Sequence, residues 1–272
     1  MNFSGGTAGI AEAFVNARCS GATLREYPGD LPTDFQTAYA IQDRAIALNG
    51  EHIGGWKVGR VAAELVTRFG ADRLAGPIFR NQMVTADALQ DAAMPVMSGF
   101  AAAEAELLLQ LGDLPDNPIS AREVPDYVTE VRFGIEIASS PFCGINQHGP
   151  AVTASDFGNN FGLVLGPVIA DWRDRDLLDA PTALTIDGTQ AGQGTMATML
   201  DGPFGAAAFL IDLLRRRGIG CPSGTWVSTG AITGVHPVKA GQTVHATFDG
   251  AFEVGCSIIA HPAGSVGTGG PA

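Results

Sequence analysis

Between Gly99 and Leu109 the chain runs Gly-Phe-Ala-Ala-Ala-Glu-Ala-Glu-Leu-Leu-Leu, with Glu104 and Glu106 set two positions apart in an otherwise apolar stretch. This run constrains the fold because its two possible conformations place the carboxylates in opposite relations. On a β-strand, residues i and i+2 share a face, about 7 Å apart along the strand, and both can reach one cation. On an α-helix the same pair diverges by about 200° and does not easily share a ligand. Ala, Glu and Leu are good helix formers, so propensity alone favours a short helix with two solvated glutamates. A joint function requires a strand, and the rest of the chain must decide.

The 272 residues suffice for one large domain, or one core with a smaller N-terminal appendage. No run reaches the roughly 18 unbroken apolar residues of a membrane span, and no membrane partner is expected. The start, Met1-Asn2-Phe3-Ser4-Gly5-Gly6, lacks a basic region followed by an apolar one, so no secretory signal is expected. Cys19, Cys143, Cys221 and Cys256 are widely spaced and read as free thiols of a reducing cytoplasm, neither a disulfide frame nor a zinc site. The net charge is −12, and the longest basic cluster, Arg215-Arg216-Arg217, ends a predicted helix, where cations suit the macrodipole. This argues against nucleic acid as a partner. Charged residues make up only 16%, against about 25% in an average domain; this fits either surface buried in a homo-oligomer, which is the expectation here, or merely an alanine- and glycine-rich composition.

Apolar spacing predicts a helix over Ala8–Arg18. A second opens at Thr33-Asp34-Phe35 and runs through about Leu48, with Thr33 and Gln36 as a capping box and Asn49-Gly50 as its stop. Ile53–Gly59 reads as a glycine-bracketed strand, Ala62–Phe69 as a short helix, and Leu74–Arg80 as an irregular crossing. Ser120–Val128 has a helical start at Ser120 and Glu123 but contains Pro125. Val131–Ile137 alternates as a strand and sets Glu136 between two isoleucines. Phe161–Ala170 reads as a bent strand or strand pair, Leu184–Gly188 as a hairpin, and Phe204–Arg217 as an amphipathic helix. Short strands follow at Thr225–Thr229, Thr243–Phe248 and Glu253–Ile259. The expected organisation is a helical region over 1–50, a β-rich body over 51–262 and a flexible glycine-rich tail over 263–272. The fold class is α+β, mixed but mainly β, and the absence of an alternating βαβ series counts against a doubly wound sheet.

Glu104, Glu106 and Glu136 are three hard oxygen donors in apolar settings, where an unpaired buried carboxylate is costly. Mg²⁺ or Mn²⁺ would remove that cost; the alternative is that at least one is exposed at a strand end. Lys57 lies between Trp56 and Val58, with glycines at 54, 55 and 59. It either binds a carboxylate or moves protons from an apolar pocket, or it snorkels to the surface. His148 sits in a Gly-rich loop, solvated or functional. The Gly188–Gly194 run lacks the lysine of a phosphate loop and is better explained as a hairpin.

Taken in order, Gly55-Trp56-Lys57-Val58-Gly59, Glu104-Ala105-Glu106, the Glu136 strand, Gly202-Pro203 before an Ala-rich helix, and Thr229-Gly230-Ala231 form a set. From about Phe35 to Ile259 the chain resembles the 2-keto-4-pentenoate hydratase / 4-oxalocrotonate decarboxylase branch of the fumarylacetoacetate hydrolase superfamily. The resemblance implies a distorted β-roll or barrel behind an N-terminal helical region. It implies a Mg²⁺ or Mn²⁺ ion on Glu104, Glu106 and Glu136, an active-site lysine at Lys57, and substrate contacts at Thr229 and Gly230. Three features depart from the pattern. Leu74 and the Arg80-Asn81 neighbourhood stand where acids are usual, Ser140-Pro141 replaces Ser-Arg, and Asp156-Phe157 replaces Asp-Asn.

The resemblance implies a metal-dependent lyase, first a hydratase, acting on a small 2-oxo acid or its 2-hydroxydienoate enol. A decarboxylase, a C–C hydrolase or a sugar-acid dehydratase on the same scaffold remains open. So does a non-catalytic paralogue that binds a 2-oxo acid, since the missing acids bear on water addition.

Overall fold

The computed structural model describes residues 6–86 and 92–262, so the expected tail at 263–272 lies outside the described residues. The α-helices among the described residues are α1 (Thr7–Ser20), α2 (Phe35–Asn49), α3 (Ala63–Phe69), α4 (Pro150–Ser155) and α5 (Gly202–Arg216). The strands are β1 (Ile53–Arg60), β2 (Arg73–Phe79), β3 (Met83–Thr85), β4 (Ala92–Val96), β5 (Phe100–Leu111), β6 (Val128–Ser140) and β7 (Asn160–Val168). They continue with β8 (Thr182–Ile186), β9 (Thr189–Gly194), β10 (Trp226–Ser228), β11 (His236–Pro237), β12 (Thr243–Phe248) and β13 (Phe252–Ala260).

The strands form two mixed sheets. The larger has the order β2-β1-β10-β5-β6-β7-β3, with β11 paired to β5; the smaller has the order β4-β13-β12-β8-β9. The fold is α+β, with a curled large sheet and few helices. The sheets pack face to face through a shared apolar core that includes Val164, Val254 and a Phe133–Phe248 stack at 5.5 Å. β5 is a strand despite its helical propensity. Its interior is buried on both faces, so it reads as a continuous apolar run rather than an alternating one. Tertiary burial overrides the local preference of Ala, Glu and Leu.

Three expectations are corrected. The segment read as an irregular crossing over 74–80 is strand β2, with all seven residues buried. Pro77 concealed it. A proline is tolerated there because β2 is the edge of its sheet and needs no donor on the open side. The α2 cap is Asp34 rather than Thr33: the Asp34 carboxylate accepts from the Thr37 N–H at 2.7 Å. Residues 120–128 do not form a continuous helix. Ser120 and Glu123 do bond each other, but only a short 3-10 turn, Val124–Tyr127, follows at Pro125. The hairpin over Leu184–Gly188 is present as β8–β9, with Asp187 and Gly188 both at positive φ (50° and 75°), the turn that matches strand twist.

Helices α1 and α2 share a second apolar cluster, with Phe14 and Ile41 packed beside Phe142, Ile145, Val152 and Phe157. The N-terminal helices are thereby fastened to the segment that leads into β7. α5 packs on the core through Ala206, Ala207, Leu210 and Leu214. Among the described residues, no helix is long and apolar enough to cross a membrane.

Candidate metal and substrate site

β5 and β6 bring the acids together. Glu104 stands directly opposite Glu136 in the antiparallel β5–β6 pair, and Glu106, two residues on, stands opposite Gly134. One carboxylate oxygen from each of Glu104, Glu106 and Glu136 lies within 4.8 Å of the others. Lys57 arrives on β1, and its Nζ is 3.5 Å from Glu136 Oε2. Glu104 is 5% exposed, Lys57 6%, and Glu106 and Glu136 not at all.

Each fully buried glutamate is oriented by donors on one oxygen. Glu106 Oε2 accepts from Ser228 Oγ at 2.5 Å and from the Gly230 N–H at 2.8 Å. Glu136 Oε1 accepts from Asn160 Nδ2 at 2.9 Å. The other oxygens, Glu106 Oε1 and Glu136 Oε2, are buried without a hydrogen bond. The Lys57 ammonium near Glu136 Oε2 is too distant for a good one. Three carboxylates thus face one cation. Burial, reinforced by its neighbours, pushes Glu106 well above the usual carboxylate range. Burial also raises Glu104 to about 7, although the Lys57 charge opposes it. Burial alone would lower Lys57, but Glu136, Glu104 and Glu106 outweigh it and hold the ammonium above its ordinary value. A convergent, dry, all-oxygen donor set with orphaned oxygens fits a hard divalent cation.

A cavity of about 560 Å³ opens on this centre, and Lys57, Glu104, Asn159, Thr229 and Gly230 are among its lining residues. That size suits a small organic acid. Thr229 Oγ1 donates to the Leu107 carbonyl at 2.8 Å, and Gly230 N–H to Glu106. The structure therefore brings all six residues singled out in the sequence to one place, with the Thr229–Gly230 turn braced against β5. Leu74 lines the same cavity as a buried apolar side chain. Glu104 is the one carboxylate among the lining residues. His148 stacks on Phe142 at 5.8 Å.

Sequence reasoning missed Ser228, Asn159, Asn160 and Arg18. Ser228 and Asn160 meet glutamates 122 and 24 residues away, and no local pattern marks such pairings. Pro141 stands where the resemblance led us to expect an arginine, and the guanidinium near Ser140 comes instead from α1. Arg18 Nε donates to Asp156 Oδ1 at 2.6 Å, and Ser140 Oγ donates to Asp156 Oδ2 at 2.6 Å.

No family model matches the chain. It is 28% identical over 257 residues to the 2-keto-4-pentenoate hydratase of Burkholderia vietnamiensis, covering 92% of this chain and 96% of that protein. A second match, 28% identical over 105 residues, is to the 4-oxalocrotonate decarboxylase of a Pseudomonas species and covers 39% of this chain and 40% of that one. Among solved structures, 4-oxalocrotonate decarboxylase from Pseudomonas putida G7, complexed with magnesium and adipate, superposes with a TM-score of 0.79 at 22% identity. That superposition covers 93% of this chain and 97% of the other. The near-full-length sequence match and the shared fold agree with the order of motifs along the chain. Over nearly its whole length the chain is thus similar in sequence to a 2-keto-4-pentenoate hydratase and in fold to a 4-oxalocrotonate decarboxylase.

Proposed function

We propose that this protein is a divalent-metal-dependent lyase of the hydratase type, acting on a small 2-oxo acid or its 2-hydroxydienoate enol. The observation that carries the reading is the buried excess of carboxylate at the edge of a substrate-sized cavity, with two oxygens left without hydrogen bonds. Glu104, Glu106 and Glu136 would hold Mg²⁺ or Mn²⁺. When bound, the ion supplies electrostatic stabilisation for the negative charge that develops on a 2-oxo oxygen.

The protein's own groups do the rest. Ser228 and the Gly230 N–H fix Glu106, and Asn160 fixes Glu136, so neither carboxylate has to reorganise. Lys57, held protonated by its acidic neighbours, offers a cation to the substrate carboxylate and a proton to the reacting carbon. The Thr229–Gly230 turn forms the wall against which the carboxylate end of the substrate rests.

One observation favours a second reading. The cavity lining carries a single carboxylate, and Leu74 is apolar where an acid would help to place water. Decarboxylation of a β-keto acid needs no such water. The bond to the departing carboxylate breaks, its electron pair passes into the enolate, CO₂ leaves, and Lys57 can protonate the carbon. A panel of 2-oxo acids and dienoates, supplied with Mn²⁺ and followed by NMR, separates hydration, decarboxylation and C–C cleavage in one experiment. Hydration of a dienoate that is lost in both Lys57→Ala and Glu106→Gln is the expected result. Binding without turnover across the panel would defeat the enzyme reading.

A further inference from the structure

The five residues from Asp156 to Asn160 form a turn unlike the rest of the backbone. Phe157, Gly158 and Asn159 take positive φ in succession (52°, 63° and 64°). Two of them are not glycine, a conformation that persists only when its surroundings over-determine it. The turn presses on the catalytic centre at two points. A Cβ on Gly158 would lie 3.2 Å from the Lys57 side-chain stem, so this backbone backs the lysine. At the other end Asn160 Nδ2 holds Glu136 Oε1.

Arg18 over-determines it. This α1 side chain is 7% exposed and is aimed wholly at the turn and its neighbour strand. Its guanidinium donates to Asp156 Oδ1 (2.6 Å) and to the Asp156 carbonyl (3.3 Å) at one end of the turn, and to the Asn160 carbonyl (3.0 Å) at the other. A further bond runs to the Ser139 carbonyl on β6, at 3.1 Å. The plane of the guanidinium also lies near the Phe157 and Phe161 rings, 4.9 and 5.5 Å from their centroids. A planar fork of donors can span both ends of a turn in this way, whereas a lysine ammonium is a single point charge.

We propose that Arg18 is a positioning residue of the metal and substrate centre. It clamps both ends of the left-handed turn, and the turn in its place holds Glu136 and the Lys57 stem. Arg18 touches neither substrate nor cation, and the proposal rests on the metal-dependent reading above.

The test is Mn²⁺ affinity, read from the EPR signal of free Mn²⁺, in the full chain and its variants. Arg18→Met is expected to weaken Mn²⁺ binding about 10- to 100-fold, the range seen when groups that orient ligands are removed. The loss should appear in kcat at saturating Mn²⁺ more than in KM. Arg18→Lys should recover only part of it. Should Arg18→Met fail to fold, Asn160→Ala decides, because it leaves the Arg18–Asp156 pair intact and removes the link to Glu136, together with a longer bond to the Gly162 carbonyl at 3.4 Å. It should show the same drop in affinity. Arg18→Met with a lower Tm but Mn²⁺ affinity within about twofold of the wild type would overturn the proposal, as would Asn160→Ala with unchanged affinity. A wild-type protein that binds no Mn²⁺ overturns the functional reading itself and this inference with it. Wild-type binding with an indifferent variant overturns the inference alone.

Discussion

Two clusters of buried charge among the described residues, around Arg18 and around Lys57, are joined through Asn160 and built in opposite ways. Around Arg18 one cation meets one anion, and both Asp156 oxygens receive a donor, one from Arg18 and one from Ser140. Around Lys57 three carboxylates meet one ammonium, and two buried oxygens have no hydrogen bond. Buried ionic groups cost several kcal/mol each unless partnered, so a completed cluster can be architectural, whereas an incomplete one calls for something from outside. The difference teaches where to look for chemistry: buried charge alone does not mark a site, but buried charge left unbalanced does.

The largest effect is expected in turnover. Lys57→Ala and Glu106→Gln should each reduce Mn²⁺-supported turnover by about 10²- to 10⁴-fold, followed through ultraviolet absorbance of a dienoate or the NMR panel. Activity within about tenfold of wild type would remove the unbalanced cluster from the chemistry.

Stability should respond with opposite signs in the two clusters. Asp156→Asn leaves the Arg18 charge buried without its counter-ion and should cost about 3–5 kcal/mol in urea unfolding. Glu104→Gln in metal-free protein removes one of three crowded carboxylates and should leave Tm unchanged or raised above neutral pH. Equal losses in the two variants would erase the distinction.

Next in size is the contact between turn and sheet. A Cβ on Gly76 would fall 1.9 Å from the Phe157 carbonyl oxygen, so Gly76→Ala should cost about 1–3 kcal/mol and weaken Mn²⁺ binding by displacing the turn.

The two clusters also differ in their response to pH. Glu104 binds its proton more tightly in the fold, at about 7, than at its ordinary 4.5. Its contribution to metal-free stability is therefore complete below the ordinary value and is lost as pH rises through about 7. Metal-free protein should lose several degrees in Tm between about pH 5.5 and about pH 8, and saturating Mn²⁺ should flatten that slope. Lys57, raised by its neighbours, contributes no change within this window. The smallest effect belongs to the exposed Arg216–Asp212 pair on α5, where Asp212→Ala should shift stability by less than about 0.5 kcal/mol.

Much of the candidate site was legible because its acids and its lysine sit at informative spacings. Glu104 and Glu106 are two apart, Glu136 lies in an alternating strand, and Lys57 is framed by glycines. Legibility failed where partners are remote. Arg18 is an unremarked helical residue until α1 docks 138 positions away from Asp156, and Ser228 gains its role only when β10 lies beside β5. β2 was hidden because Gly76-Pro77 mark turns in most contexts, yet here they serve an edge strand and a close backbone approach.

By itself the sequence determined which groups could do chemistry and roughly where the strands and helices fall, since periodicity, caps and turn residues are local properties of the chain. It did not determine whether Glu104 and Glu106 converge, because helix propensity and strand burial oppose each other over that run. Only the tertiary structure decided this. Burying β5 on both faces selects the extended chain, and pairing β5 with β6 sets Glu104 opposite Glu136. Docking α1 then supplies the guanidinium that holds the neighbouring turn. Each of these is a long-range contact whose free energy exists only when the whole core is assembled, so no window of sequence carries it.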